Sequence, residues 1–215
     1  RKEDGSFTGN LHDIDDMLHE AWLPVFRLYG QGNSPPRFHL FQERFGTFFP
    51  ERREFDWTGN CVESMREILR RAKAGTAIGV CGWRVAELKA LPDEILSMLC
   101  DVFDLIESEG SWPEALRVGV ISMVPKDDGG LSAKDLRPIS VMSTIYRLWA
   151  AMKCRDVLQW QELWASDALT GFRLDLSCED SFWSLALDIE QAYQRFDRLC
   201  GISIDFQKAF DRVPW

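Results

Sequence analysis

The residues of this 215-residue chain that could do chemistry lie mostly in its second half. The closing stretch GISIDFQKAFDRVPW sets two carboxylates, Asp205 and Asp211, on either side of a small apolar pair, Ala209 and Phe210. Its opening residues belong to LCGISID, a short run that reads as a buried strand. A strand ending in acid raises the question of what the charge is for. Upstream, in LRVGVISMVPKDDGGLSAKDLRPISVMS, Val118, Val120, Ile121, Met123 and Val124 predict one strand, DDGG a turn and LRPISV a second strand. Lys126 and Arg137 would then stand near the same end of a hairpin-like flap. A compact ammonium and a planar guanidinium at one place can hold a polyphosphate that neither holds firmly alone. The alternative is two solvated charges beside a turn.

Composition bounds what these groups can serve. With 46% hydrophobic and 12% aromatic residues the chain can bury one good core or two small ones. A formal charge of −9 argues against an all-over electrostatic grip on nucleic acid. Residues 112–173, however, hold eight Lys/Arg against seven Asp/Glu, so the acid excess lies in the flanks. Six cysteines are scattered singly, without the short spacing of a zinc site or a redox dithiol, and read as reduced, mostly buried thiols. No apolar run approaches the ~20 residues that span a bilayer, and RKEDGSFTGN lacks a signal peptide's apolar segment. The expected location is intracellular, cytoplasmic or nuclear, with no membrane partner. A chain that opens on Arg1 is read as a piece of something longer.

Helices must position most of these groups. Leu11, Ile14, Leu18, Ala21, Trp22 and Val25 recur at helical spacing before the breaker cluster GQGNSPP. Phe38, Phe41, Phe45 and Phe48 form an aromatic stripe expected in a core and ended by Pro50. A third helix is expected from about Asn60 to Lys73, capped by Asn60 or Thr58, with Val62, Met65 and Leu69 inward. Pro92 should open another, with Ile95, Leu99, Val102 and Ile106 buried and Gly110 as its stop. In the glycine-rich turn GTAIGVCGW, Gly79 and Gly82 read as ordinary loop glycines. Beyond the hairpin, Ser143 caps a long amphipathic helix decorated by Arg147, Lys153 and Arg155. LTGFR reads as extended, and Ser177 with Asp180 as the capping box of a last helix.

Taken in order, AIGVCGW, a strand ending VPK, LRPIS, GFR and DFQKAFD resemble the fingers and first palm strand of reverse transcriptases of the non-LTR (LINE-type) retrotransposons. The resemblance covers about residues 76–215. It implies an α/β (α+β), helix-rich chain: a truncated right-hand polymerase, with a fingers subdomain and the first palm strand preceded by a helical segment. The domain division that goes with it is a helical connector over 1–58 and a reverse transcriptase-like domain over 59–215.

The resemblance also implies roles. Asp205 would be the catalytic metal ligand, with the Phe206 backbone carbonyl as an extra ligand, for two Mg²⁺ ions. Such ions take oxygen ligands and are held by one or two carboxylates plus substrate phosphates. Lys126 and Arg137 match the pair that grips the incoming deoxynucleoside triphosphate, and Phe210 the residue that crowds a ribose 2′-hydroxyl. Gly171 and Arg173 match a segment along the template path, Arg173 as a phosphate contact or as a plain surface arginine. Asp211 is assigned outside the metal shell, as a cap or a partner of basic groups. The partners implied are an RNA template, a DNA primer and deoxynucleoside triphosphates. Two positions depart from the pattern: Cys81 stands where such sequences carry Asp, and Asp175 where they carry Gly. The hairpin with paired aspartates does not occur before Trp215, so these residues alone are expected not to polymerise. Two other readings are a catalytically dead nucleic-acid-binding remnant and a helical protein-interaction module.

Overall fold

The computed structural model describes residues 4–30, 34–35, 37–49, 53–126, 132–206 and 208–213. It is helix-rich with one small antiparallel two-stranded sheet, an α+β architecture. Eight helices occur among the described residues: α1 (Leu11–Phe26), α2 (Phe38–Phe45), α3 (Val62–Arg71), α4 (Val85–Ala90), α5 (Asp93–Glu109), α6 (Glu114–Arg117), α7 (Thr144–Gln161) and α8 (Cys178–Arg195). Strands β1 (Val120–Pro125) and β2 (Leu136–Val141) lie between α6 and α7 and pair with each other, as the hairpin reading expects; the DDGG turn lies outside the described residues. The chain divides into two compact units: residues 1–49, 122–139 and 200–215, and residues 50–121 and 140–199.

The second unit holds the main core. Met65 and Leu69 of α3, Leu88 of α4, Leu96, Cys100, Phe103 and Ile106 of α5, and Leu148 and Met152 of α7 form one buried cluster. The face of α5 is rotated from the expected one, since Ile95 and Val102 are exposed and Leu96, Cys100 and Phe103 are buried instead. Both stripes recur at helical spacing, and packing against α3 selects the one that carries the large Phe103 ring. Gly110, at φ 68°, ends α5 as expected.

Arg66 ties α3 to the next two helices, donating to the Lys89 and Leu91 carbonyls and to Asp93. The segment before α3 is fastened to α7, with Thr58 N–H donating to the buried Asp156 carboxylate at 3.0 Å. Thr58 and Asn60 therefore do not cap α3: Cys61 precedes it, and the Asn60 amide goes to Asp104 and Glu107. Lys153 is not surface decoration either. It is buried, bonded to Glu107 at 2.8 Å, and faces the Trp57 ring. Burial opposes charge on Glu107, but Lys153, Asn60 and Trp149 outweigh it and hold the carboxyl below its ordinary range.

Other expectations change with tertiary context. Phe38, Phe41 and Phe45 stack with one another and with Phe49 but stay exposed, and Phe48 is exposed as well, so the stripe is not core. Residues 169–175 form turns rather than an extended piece, with Phe172 and Asp175 at positive φ. The cysteines are not mostly buried: Cys100 is, Cys61 and Cys81 are half-buried, and Cys154, Cys178 and Cys200 are exposed. No helix among the described residues is long and apolar enough to cross a membrane.

Candidate functional site

In the first unit the scaffold is α1. Asn10 caps it by accepting the His12 N–H, and Trp22, 3% exposed, is the buried apolar side chain among this unit's described residues. The Trp22 indole N–H donates to the Ala133 carbonyl at 2.9 Å, in the 3-10 turn (Ala133–Asp135) that leads into β2. The same helix also meets the 3-10 turn Phe210–Arg212, and the Lys208 ammonium sits 3.7 Å from the centre of the Trp22 ring. An ammonium on an indole face is attracted by the ring's quadrupole. One indole thus holds the approach to the hairpin on one side and the segment after Asp205 on the other. Periodicity assigned Trp22 to the helix's buried stripe, and nothing in the sequence marked it as this hinge point.

Lys126 follows β1 directly and Arg137 is the second residue of β2, so the antiparallel pairing puts them toward the same end of the sheet. Both are exposed, and neither meets a carboxylate among the described residues. Asp205 and Phe206 are exposed and belong to the same unit, as does Phe210, 76% exposed. The expected strand LCGISID is absent. Residues 199–206 have no ladder partner among the described residues, and Ile202 is 91% and Phe206 74% exposed. A strand exists only as part of a pair. Asp211 begins no regular element of its own but lies inside the Phe210–Arg212 turn; its side chain lies outside the described residues.

Arg173 and Gly171 belong to the second unit. The Arg173 guanidinium is spent on Glu162, with Nε donating to Oε1 at 2.9 Å and Nη2 to Oε2 at 2.6 Å, while Nη1 reaches the Ser166 carbonyl. The pairing keeps Glu162 below the usual carboxylate range and raises Arg173. A phosphate would have to displace that fork. Gly171 has open space where a Cβ would point. Asp175, at φ 58°, occupies the left-handed region that favours glycine.

The turn before α4 is built on its glycines, against the reading of Gly79 and Gly82 as ordinary loop residues. A Cβ on Gly79 would strike the Met142 carbonyl and lie 2.8 Å from the Ser143 Cα, and Gly82 has φ 73°. Among the described residues no three His, Cys, Asp or Glu side chains converge where a metal could sit. No protein-family model matches the chain, and no curated protein matches it.

Proposed function

We propose that the chain is the fingers part, with the first palm segment, of an RNA-directed DNA polymerase of retrotransposon type. Its substrates would be deoxynucleoside triphosphates, with an RNA template and a DNA primer as partners. The observation that supports this reading best is that Lys126, Arg137, Asp205 and Phe210, far apart in sequence, share one compact unit organised on α1. In it, exposed Lys126 and Arg137 bind the triphosphate as point charge and fork. The Phe210 ring excludes a 2′-hydroxyl.

The donor set suits Mg²⁺ in kind but not in number. The Asp205 carboxylate and the Phe206 carbonyl offer two oxygens, where the ion takes about six and draws the rest from water and phosphate. When bound, such ions supply nucleophile activation and neutralise charge on the leaving group. Among the described residues no group of three potential ligands forms around Asp205, so these 215 residues are expected to bind triphosphate weakly and to extend no primer.

Calorimetric titration of the purified chain with a deoxynucleoside triphosphate and Mg²⁺ tests the reading. Lys126→Ala and Arg137→Ala should each weaken binding about 10-fold, the loss of one charge-assisted contact. Asp205→Asn should abolish the Mg²⁺ dependence and spare the metal-free affinity. Absence of binding, or binding indifferent to both cation substitutions, overturns it. The interaction-module reading draws on α8, which buries none of its residues and exposes Phe182, Leu185, Ile189 and Tyr193 along one side.

A further inference from the structure

Cys81 lies in the glycine turn of the second unit, and its sulfur meets the start of α7, an 18-residue helix. The Thr144 N–H, the first of that helix, donates to Cys81 Sγ at 3.3 Å. The Trp83 and Ile145 N–H groups lie near enough to favour charge on it. Ser143, which sequence reasoning made the cap of α7, does not cap it: its side chain accepts nothing from the helix. Instead Ser143 is fully buried, and its hydroxyl has no partner of good hydrogen-bond geometry. The group that hydroxyl faces is the Cys81 sulfur. A sealed hydroxyl without a partner is destabilising, and a sulfur bearing negative charge is the acceptor that would satisfy it.

We propose that Cys81 is a redox-modification site, oxidised by hydroperoxides to a sulfenic acid, and that its sulfur caps α7 until it is oxidised. In the step, the thiolate sulfur attacks one peroxide oxygen. An S–O bond forms and the O–O bond breaks. The sulfur is oxidised by two electrons, and the attacked oxygen keeps its proton as the sulfenic S–OH. The second oxygen leaves with the O–O electron pair, as hydroxide from hydrogen peroxide or as an alkoxide from an organic hydroperoxide, to be protonated by the solvent. Burial alone would push the thiol up, but Ser143 and the N–H groups of Trp83, Thr144 and Ile145 bring it from 9.0 down to about 7. The charged groups on the surrounding elements are committed elsewhere. Arg147 of α7 donates to the Ala77 carbonyl and the Thr144 hydroxyl, and the Glu87 carboxylate closes on the Arg84 N–H at the start of α4. Cys100, sealed in the core, is pushed up to about 11, first by burial, and is set aside as a competitor. The turn lies close against the start of α7, with no room for a Cβ on Gly79 beside Met142 and Ser143, so an oxygen added on Cys81 is expected to loosen the turn from the helix.

The test treats the whole chain with hydrogen peroxide, traps sulfenic acid with dimedone, and measures each cysteine's peptide by mass spectrometry. A parallel series with iodoacetamide follows thiolate reactivity against pH. Cys81 should be trapped ahead of the exposed Cys154, Cys178 and Cys200. Its alkylation should be half-maximal near pH 7, and faster than in the guanidinium-denatured chain by about 6-fold at pH 7 and about 10-fold at pH 6. Ser143→Ala should move the midpoint upward. If that variant does not fold, the comparison of folded and denatured chain still decides. Labelling of Cys81 no faster than the three exposed thiols at pH 7, or one midpoint in both states of the chain, overturns the proposal.

Discussion

Gly79 and Cys81 show how much a single position can carry in this protein. With no space for a Cβ between Gly79 and the Met142–Ser143 backbone, Gly79→Ala must part the turn from the start of α7. The obstacle is backbone, which cannot rotate aside. The expected cost is about 2–3 kcal/mol, read as a lowered urea midpoint with an unchanged slope. Gly171→Ala, with open space at its Cβ, should leave the midpoint within about 0.5 kcal/mol and serves as the control. In sequence both are loop glycines. Only the approach of a segment more than sixty residues away distinguishes them.

Helix α1 is the element on which the candidate site depends. It contributes no residue to the proposed chemistry, and its sequence reads as a connector. Yet its Trp22 joins Ala133, ahead of β2, to Lys208, just past Asp205. Trp22→Ala should cost about 3 kcal/mol or more by removing a buried indole. It should also weaken triphosphate binding and raise hydrogen exchange over residues 132–141 and 200–213. Trp22→Phe keeps a ring for the Lys208 ammonium and loses one hydrogen bond, so it should cost about 1 kcal/mol. Equal losses from both variants would mean that the hydrogen bond to Ala133, and not the ring, holds the unit together. Helix α8 is the opposite case. Its capping box forms as the sequence predicts, with the Ser177 hydroxyl accepting from Glu179 N–H and Asp180 accepting from Ser177 N–H, but none of its residues is buried and its large apolar side chains stay exposed.

Across the whole molecule, pairing decides which charges can act. Of the eight cations in residues 112–173, Lys153, Arg155 and Arg173 are neutralised by Glu107, Asp156 and Glu162, and Arg147 is spent on a carbonyl and a hydroxyl. Arg117, in the second unit, is exposed, and the remaining three, Lys126, Lys134 and Arg137, all in the first unit, are exposed without carboxylate partners among the described residues. On a chain of net charge −9, three such cations make a small grip. A fluorescent single-stranded RNA should therefore bind weakly, with log K falling against log salt at a slope of about −2. A slope beyond about −5 would require about seven phosphate contacts, and so cations beyond these three.

The sequence by itself determined the elements whose signals are local. The 3.6-residue apolar repeat of α1, Gly110 closing α5, the Ser177–Asp180 capping box and the apolar runs of β1 and β2 each depend on residues a few positions apart. The order of VPK, LRPIS and DFQKAFD likewise drew attention to Lys126, Arg137 and Asp205. Tertiary structure decided the rest, because each remaining question concerned a partner distant in the chain. Which stripe of α5 is buried depended on α3 and α7. Whether Lys153 is surface or core depended on Glu107, and whether residues 201–206 form a strand depended on a neighbouring strand. That a cysteine and not Ser143 takes the first N–H of α7 depended on a turn folded back across sixty residues. Local propensity costs or gains a few tenths of a kcal/mol per residue, while a buried partner is worth one or more, so where the two disagree the partner wins.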